Sequence, residues 1–341
     1  MTRINLKNLS FAQIDELTAA MGQPKFRAKQ MRDWLYNKNA VDIASMSNLP
    51  KEFREQLAAT HTAQGLAIAA KRAAPDGTIK YLFTLDDGLT VETVFIPEEK
   101  RNTVCISTQV GCKFQCAFCA TGTMGFSRNL TLAEILNQVI ETRRDAGEVT
   151  NVVFMGMGEP LDNFTAVTRA LEVMHNPEGF NIGTRRITVS TVGLPAQIDK
   201  LGKSGLKTNL AISLHAANDA VRSRLMPVNK KYPVAAIMKA CAHYPLQHGR
   251  AITMEVILFD GVNDRPEDVQ ALIRALRGVK AKVNLICFNP VTGVELRPSP
   301  RERVEKFQKA LMSADIDCTI RLSRGGEIEA ACGQLRTSFT K

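Results

Sequence analysis

Residues 103–125 read TVCISTQVGCKFQCAFCATGTMG, in which an apolar stretch leads directly into three closely spaced cysteines. This is the first of six units, each with a β-branched stretch, a loop and an amphipathic stretch, that continue to about residue 313. The pattern predicts strands at 104–108, 149–155, 186–190, 208–213, 252–258 and 283–288. It predicts helices at 132–144, 164–175, 195–201, 234–242, 266–276 and 301–313. Six βα units with right-handed crossovers predict an α/β fold, a partial (β/α)6 TIM-type barrel that binds ligands at the carboxyl ends of its strands.

The three cysteines of that stretch, Cys112, Cys116 and Cys119, have the spacing C-x3-C-x2-C. Three thiolates on one short loop can bind three irons of a 4Fe–4S cluster and leave the fourth iron open to a substrate. Structural zinc normally has four protein ligands, so a zinc site here would need Cys105 or a distant histidine. The spacing favours the cluster, with zinc as the alternative. The remaining cysteines in apolar stretches are predicted to be core residues: Cys241, Cys287 and Cys318.

The residues before the first barrel strand predict two smaller parts. Residues 1–70 predict a small helical accessory domain, in which one helix starts after Ser10 and two more start at prolines. The second of these helices mixes lysine and arginine with aromatic residues, a combination that can bind phosphates and stack on bases. Residues 71–102 alternate in strand fashion around an Asp-Gly turn and predict a β-hairpin extension. The barrel and a C-terminal cysteine segment then occupy residues 103–341.

The composition is that of an ordinary globular protein with a surplus of basic residues. The 341 residues are 45% hydrophobic and 23% charged, which excludes a disordered, collagen-like or coiled-coil chain. The formal net charge is +10, so a polyanionic partner such as nucleic acid is expected. Candidate phosphate contacts are Arg185, Arg186, Lys230, Lys231, Arg297, Arg301, Arg303 and the basic residues of 25–32. Because the sequence contains neither a secretory signal nor an apolar run of ~18 residues, we expect a cytoplasmic protein without a membrane partner.

A series of motifs makes the sequence recognisable. The motifs are VETVFIPEEKR (91–101), CISTQVGCKFQCAFCATGTMGFSRNLTLAEI (105–135), GMGEPLDN (156–163), ITVSTVG (187–193), ISLHA (212–216) and AACGQL (330–335). With them the sequence resembles the RlmN/Cfr family of radical S-adenosylmethionine (SAM) RNA adenine methyltransferases over residues 91–336. The helical N-terminal part also resembles that family's accessory domain. The resemblance implies a radical-SAM barrel, a 4Fe–4S cluster and two SAM molecules per turnover.

The resemblance also implies roles for residues at the strand ends. Cys112, Cys116 and Cys119 would bind the cluster, and its open iron would take SAM. The residues implied in SAM binding are Gly158, Glu159, Ser190, Ser213, Leu214, His215 and Asn289. They lie at the carboxyl ends of predicted strands, where a barrel binds its ligand.

Two further cysteines and a glutamate would carry the methyl transfer. By resemblance, Cys332 accepts a methyl group as S-methylcysteine, and a radical formed on that methyl group adds to the base. Cys105 would then release the RNA by forming a disulfide with Cys332, and Glu92 would accept the ring proton. A basic neighbourhood would favour reactive thiolates. The arginines that flank Cys332 in sequence are Arg321, Arg324 and Arg336.

The resemblance leaves the methylated atom open between C2 and C8 of adenine. We favour C2 of an adenosine in 23S ribosomal RNA, with tRNA as a second substrate, because an N-terminal bundle without additional signatures fits the family's housekeeping members. C8 methylation of ribosomal RNA is the alternative within the family. A zinc-stabilised RNA-binding module without catalysis is the alternative from another class. An electron donor such as flavodoxin is an expected partner, and the protein is expected to be a monomer.

Overall fold

The computed structural model of the chain describes residues 3–321 and 324–335. Its N-terminal part contains three helices, α1 (Phe11–Ala20), α2 (Phe26–Arg32) and α3 (Lys51–Thr60). Two short parallel strands join the ends of this part, β1 (Ile4–Asn5) and β2 (His61–Thr62). Helix α1 begins after Ser10 as predicted. The Ser10 Oγ accepts from the Gln13 amide, and the Ser10 amide donates to Gln13 Oε1, so two amides at the helix start are satisfied.

The rest of the described chain is organised by one large sheet. The strands, in chain order, are β3 (Ala67–Ala73), β4 (Ile79–Thr84), β5 (Thr90–Glu98), β6 (Arg101–Cys105), β7 (Gln109–Gly111), β8 (Phe126–Asn129), β9 (Asn151–Phe154), β10 (Ile187–Thr191), β11 (Asn209–Ser213), β12 (Ile252–Leu258), β13 (Ala281–Cys287) and β14 (Cys318–Arg321). Ten of them form the sheet in the order β14-β13-β12-β11-β10-β9-β6-β5-β4-β3. The pairs from β6 through β14 are parallel, whereas β3, β4, β5 and β6 form an antiparallel meander. The meander therefore continues the barrel sheet.

Helices connect the parallel strands, as a βα pattern requires. They are α4 (Ala120–Thr123), α5 (Leu132–Ala146), α6 (Phe164–His175), α7 (Pro195–Lys203), α8 (Asp219–Leu225), α9 (Val234–His243), α10 (Pro266–Ala275) and α11 (Arg301–Met312). The predicted α/β class and incomplete barrel are confirmed, because the sheet is mostly parallel and the order given above has two open ends. None of the helices formed by residues 3–321 and 324–335 has the length and apolar character needed to cross a membrane.

Several elements differ from the sequence predictions. Residues 67–70 were expected to end the helical part and 71–73 to begin the hairpin extension, but 67–73 form one strand, β3, which pairs with β4. Their sequence, AIAAKRA, is rich in good helix formers, and pairing in the sheet outweighs that local preference. Helix α8 and the seventh parallel strand, β14, were not predicted. Both are too short to give a reliable periodic signal.

Candidate active site

The three clustered cysteines lie on a loop between β7 and β8, which pair with each other as a small antiparallel ribbon. The loop was expected to follow the first barrel strand directly, but this ribbon separates the two. A Cβ on Gly111 would lie 1.9 Å from the carbonyl oxygen of Gly125, so the ends of the loop approach too closely for a side chain. The Cys112 amide donates to that carbonyl over 2.7 Å, and the Ala117 amide donates to the Leu225 carbonyl over 2.8 Å. Helix α8 thus supports the loop.

The three cysteines line a cavity of about 140 Å³ at the carboxyl ends of the parallel strands. Five residues that the resemblance implies in SAM binding share this lining: Gly158, Glu159, Ser190, Ser213 and His215. Leu214 and Asn289 are not part of the lining. The Leu214 side chain is fully buried, and the Asn289 amide donates to the Cys287 carbonyl over 3.4 Å. We call this space the cluster cavity.

Cys116 of the cluster cavity is buried, and Cys112 and Cys119 are half-buried. Burial raises the pKa of Cys112 to about 12, and it also raises the pKa values of Cys116 and Cys119. The thiols raise one another's pKa further, because two neighbouring thiolates repel. In the described part of the chain, no three His, Cys, Asp or Glu side chains converge on a position for a single metal ion. The ligands of a cubane bind different irons, so three thiols on one loop that line the same cavity fit such a cluster.

The Glu159 carboxylate is held at the edge of the cluster cavity by backbone amides. Its Oε2 accepts from the Val192 amide over 2.8 Å, and its Oε1 accepts from the Leu161 amide over 3.0 Å. Burial nevertheless raises the pKa of Glu159 to about 7. A cationic group in the cavity would favour the charged carboxylate, since opposite charges lower the pKa of an acid. This carboxylate is therefore suited to bind an ammonium group.

His215 is held in an uncommon backbone conformation beside the cysteines. Its φ is +57°, a region that non-glycine residues rarely adopt. The Ile257 amide donates to Nδ1 over 3.1 Å, and the Asn263 side-chain amide donates to the His215 carbonyl over 2.6 Å. Burial lowers the pKa of His215 to about 3, so the ring is neutral at physiological pH and carries its proton on Nε2. Its ring packs against Phe118 with centroids 4.6 Å apart.

Cys332 lies between the cluster cavity and a second cavity of about 330 Å³. We call the second space the outer cavity. Cys332, Met155 and Ile286 line both spaces, and Cys105 lines the outer one. The structure thus brings together Cys105 and Cys332, which are far apart in the sequence. The arginines in the outer lining are Arg101, Arg321 and Arg324.

Arg321 provides the basic neighbourhood that was expected around these cysteines. The nearby Cys332 is the main cause that raises the pKa of Arg321, and Glu255 and Cys105 contribute in the same direction. The expectation of a readily formed thiolate is wrong for Cys105, because burial raises its pKa to about 12 despite Arg321. Arg324 lines the outer cavity. Arg336 lies outside the described residues.

The segment that carries Cys332, residues 324–335, is hydrogen-bonded to the cysteine loop. We call it the Cys332 segment. The Ala120 amide donates to the Gly333 carbonyl over 2.8 Å, and Thr121 Oγ1 donates to the Leu335 carbonyl over 2.6 Å. These donors directly follow Cys119, the last cysteine of the loop. The Cys332 segment is therefore attached to the cysteine loop itself.

Glu92 lies in β5, outside the lining of both cavities. Its carboxylate is fully buried and forms an ion pair with Lys80, with Nζ and Oε1 3.2 Å apart. The Lys80 Nζ also donates to the carbonyl of Glu329 over 3.2 Å. Lys80 therefore joins Glu92 to the Cys332 segment, although the structure does not bring Glu92 into contact with the cavities.

Sequence reasoning missed Glu255, which lines the cluster cavity. Its backbone carbonyl accepts from the amides of Leu214 and His215, and its carboxylate accepts from Asn284 over 2.8 Å. Burial raises the pKa of Glu255. The available signal was a single acidic residue within the apolar stretch ITMEVIL at 252–258.

Two sets of predictions need correction. One concerns the cysteines expected in the core, and the other concerns the basic residues expected to contact phosphate. Cys241 and Cys318 are buried as predicted, but Cys287 is exposed at the end of β13. Arg32 is unsuited to contact phosphate, because it is buried and paired with Asp15 and Glu178 at 2.6 and 2.7 Å. Arg303 also has acidic partners, at 2.6 Å each. The candidates that remain exposed are Lys25, Lys29, Arg185, Arg186, Lys230, Lys231, Arg297 and Arg301.

Gly158→Ala is expected to lower the free energy of unfolding by about 2 kcal/mol or more. Gly158 has a φ of +94°, and a Cβ there would lie 2.4 Å from the Gln109 side chain. Gly183→Ala is the control, because no atom lies within 4 Å of its added Cβ, and a change within about 0.5 kcal/mol is expected there. Urea unfolding of both variants would measure the difference. Equal free energies of unfolding for Gly158→Ala and Gly183→Ala would contradict the expected clash at Gly158.

Comparison with known proteins places this site in a family. The family model described as Radical SAM superfamily matches residues 106–276. A second model, described as Ribosomal RNA large subunit methyltransferase N-terminal domain, matches residues 4–62. These two matches cover the cysteine loop with most of the lining of the cluster cavity, and the helical N-terminal part.

Relatives of the whole chain agree with the family models. A dual-specificity RNA methyltransferase RlmN from Geobacter sulfurreducens is 46% identical, with 98% of this chain and 92% of the relative covered. A protein of the same name from Geotalea uraniireducens is 44% identical, with 100% and 99% covered. The crystal structure of a radical SAM methyltransferase from Sphaerobacter thermophilus matches 98% of this chain and 100% of its own, with a TM-score of 0.93 and 44% identity. The chain therefore belongs to the RlmN family of radical SAM RNA methyltransferases.

Proposed function

We propose that the protein methylates C2 of an adenine in 23S ribosomal RNA and in tRNA, with Cys332 as the carrier of the methyl group. Radical SAM methylation of RNA, with a 4Fe–4S cluster and SAM, follows from the family itself. The observation that carries the finer proposal is the position of Cys332 in the linings of both cavities. One side chain can therefore face the cofactors on one side and the RNA base on the other.

The cluster cavity holds the residues that would bind the cofactors. Cys112, Cys116 and Cys119 would bind the cluster, which together with SAM would supply a carbon-centred radical and a methyl group. Glu159 would bind the ammonium end of SAM, because its buried carboxylate gains from a positive neighbour. The neutral His215 ring would donate a hydrogen bond from Nε2. Gly158, Ser190 and Ser213 of the same lining would make the remaining SAM contacts, whereas Leu214 and Asn289, which the resemblance also implies, lie outside that lining.

Two side chains would complete the transfer after Cys332, as S-methylcysteine, has joined its carbon to the base. Glu92 would accept the ring proton, although its carboxylate pairs with Lys80 outside the lining of both cavities in this structure. The Cys105 thiolate would attack the sulfur of Cys332, so that an S–S bond forms while the S–C bond breaks. The carbon keeps the electron pair of the broken bond and takes a proton, which completes the methyl group and releases the base. The shared outer cavity supports this pairing. Because burial raises the pKa of Cys105 to about 12, its thiol needs a proton acceptor before it attacks.

The outer cavity would receive the target adenine. A ring carbon is reached only when the base has left its stack, so an unpaired or flipped adenosine is expected. Arg101 and Arg324 at the rim would contact the backbone phosphates. The exposed Phe26, with Arg27 4.8 Å above its ring, supports RNA binding by an accessory domain of residues 1–70. We further propose a hairpin extension at 71–102, a catalytic unit at 103–341, a monomeric enzyme and a flavodoxin-like electron donor.

Mass spectrometry of RNA from cells with and without the protein tests the proposed product. We expect 2-methyladenosine in 23S ribosomal RNA and in tRNA only when the protein is present. An otherwise identical strain that produces Cys332→Ala is the matched control, and it should lack the product. Detection of 8-methyladenosine in place of 2-methyladenosine would overturn the assignment of C2. A product confined to ribosomal RNA would overturn the assignment of tRNA.

A further inference from the structure

Arg222 is a fully buried arginine on α8, beside the cysteine loop. It is the largest of the side chains that have less than 2% exposure. Its helix supports the loop, because the carbonyl of Leu225 accepts from the amide of Ala117, the residue after Cys116. The proposed function gives Arg222 no role. A buried cation is costly unless its charge is compensated, so its position calls for an explanation.

The hydrogen bonds of Arg222 do not compensate its charge. The guanidinium donates to the carbonyls of Val192, Ser213 and Leu214 at 2.6, 3.3 and 3.0 Å, and to the side-chain oxygen of Asn229 at 2.8 Å. All four acceptors are neutral. They satisfy the N–H groups, but a neutral dipole stabilises a buried charge less than an anion does. An anion that compensates the charge of Arg222 must therefore be a group other than these four acceptors.

Arg222 lies directly behind the cluster cavity, because it donates to the carbonyls of Val192 and Ser213, which both line that cavity. Once Cys116 binds iron as a thiolate, it would be the main negative charge that acts on Arg222. Burial lowers the pKa of Arg222 to about 10, and Cys116, followed by Asp219, opposes that shift. The guanidinium is therefore protonated at neutral pH. Asp219 has other partners, because its Oδ1 accepts from Asn229 and from the Val234 amide, both over 2.9 Å. The Cys116 thiolate is therefore the anion best suited to compensate the charge of Arg222.

We propose that Arg222 is a positioning residue that raises the reduction potential of the iron–sulfur cluster from behind Cys116. The inference rests on the cysteine ligands proposed above. A cluster gains one negative charge when it is reduced, so a fixed cation nearby stabilises the reduced state more than the oxidised state. The bonds from Arg222 to the ends of β10 and β11 hold that cation at a constant place relative to the cavity.

Redox titration of the anaerobically reconstituted full-length protein, followed by electron paramagnetic resonance, tests this role. For Arg222→Met we expect the ratio of reduced to oxidised cluster, measured at the wild-type midpoint, to fall about tenfold, which is 59 mV for one electron. Arg222→Lys keeps the charge and should stay within about twofold of the wild type. Arg224→Met is the matched control, since Arg224 is exposed on the same helix, and its ratio should not change.

A second variant removes the charge but keeps a hydrogen-bond donor in place. Arg222→Gln can still donate to a carbonyl at the ends of β10 and β11, so the same fall in the reduced fraction is expected even if Arg222→Met does not hold a cluster. The proposal is overturned if whichever of these two variants holds a cluster titrates like Arg224→Met. A wild-type protein without a reducible cluster would instead refute the proposed cysteine ligands. Failure of the Arg222 proposal is therefore distinguishable from failure of the proposed function.

Discussion

Cys116→Ala is expected to abolish both cluster binding and RNA methylation. Cys116 is the middle cysteine of the loop, and its removal leaves two thiolates for a cluster that needs three on this loop. The isolated protein should then lose its iron, from about four atoms per chain to nearly none, and its brown colour. Iron analysis and a methylation assay on substrate RNA would measure both losses.

Cys287→Ala is the control for that experiment. Cys287 is exposed and lies outside the lining of the cluster cavity, so its replacement should leave iron content and methylation unchanged. Methylation retained in Cys116→Ala would refute the ligand assignment. Zinc near one atom per chain in the wild-type protein, without iron, would support a zinc-stabilised module and contradict the proposed chemistry.

Cys105→Ala is expected to trap RNA on the protein through Cys332. The methyl carbon would still join the base, but no thiol in the outer cavity would then attack the Cys332 sulfur and release it. A covalent adduct of up to one RNA per chain should therefore accumulate. Denaturing gels, followed by nuclease digestion and peptide mass spectrometry, would locate the bond at Cys332.

Two further variants make that result specific. The double variant Cys105→Ala/Cys332→Ala should form no adduct, because the carrier itself is missing. Cys241→Ala removes a thiol that is equally buried but lies in α9, so it should turn over without accumulating adduct. Equal amounts of adduct in the single and double variants would contradict the role of Cys332.

The fold was predictable from sequence where the signal is local. Ser10 begins α1 through its own hydroxyl, and Pro195 and Pro266 begin α7 and α10, because proline suits the first turn of a helix. The long strand β12 was predicted at its observed bounds, because seven consecutive residues give a clear pattern. Short elements such as β14 gave no such pattern. Its place in the sheet depends on pairing with β13.

The candidate site was predictable where residues share a motif, and it was not where the contacts are tertiary. The spacing of the loop cysteines indicated a cluster without help from the fold. No sequence pattern joins Glu92 to Lys80, or brings Arg222 to the cluster cavity, because these arrangements form only once the sheet and α8 are in place. The burial of Arg32 and the exposure of Cys287 likewise depend on neighbours that are distant in sequence.

Under the proposed function, the position of Cys332 would separate two reactions that would interfere with each other in a single cavity. Its side chain, with Met155 and Ile286, forms the common wall between the two cavities. Rotation about the Cα–Cβ bond of Cys332 would turn its sulfur towards either cavity. The backbone would stay in place, because the carbonyls of Gly333 and Leu335 accept hydrogen bonds from the cysteine loop. The nucleic acid would then meet only the carbon delivered by that sulfur, and the rest of its surface would be shielded from uncontrolled oxidation.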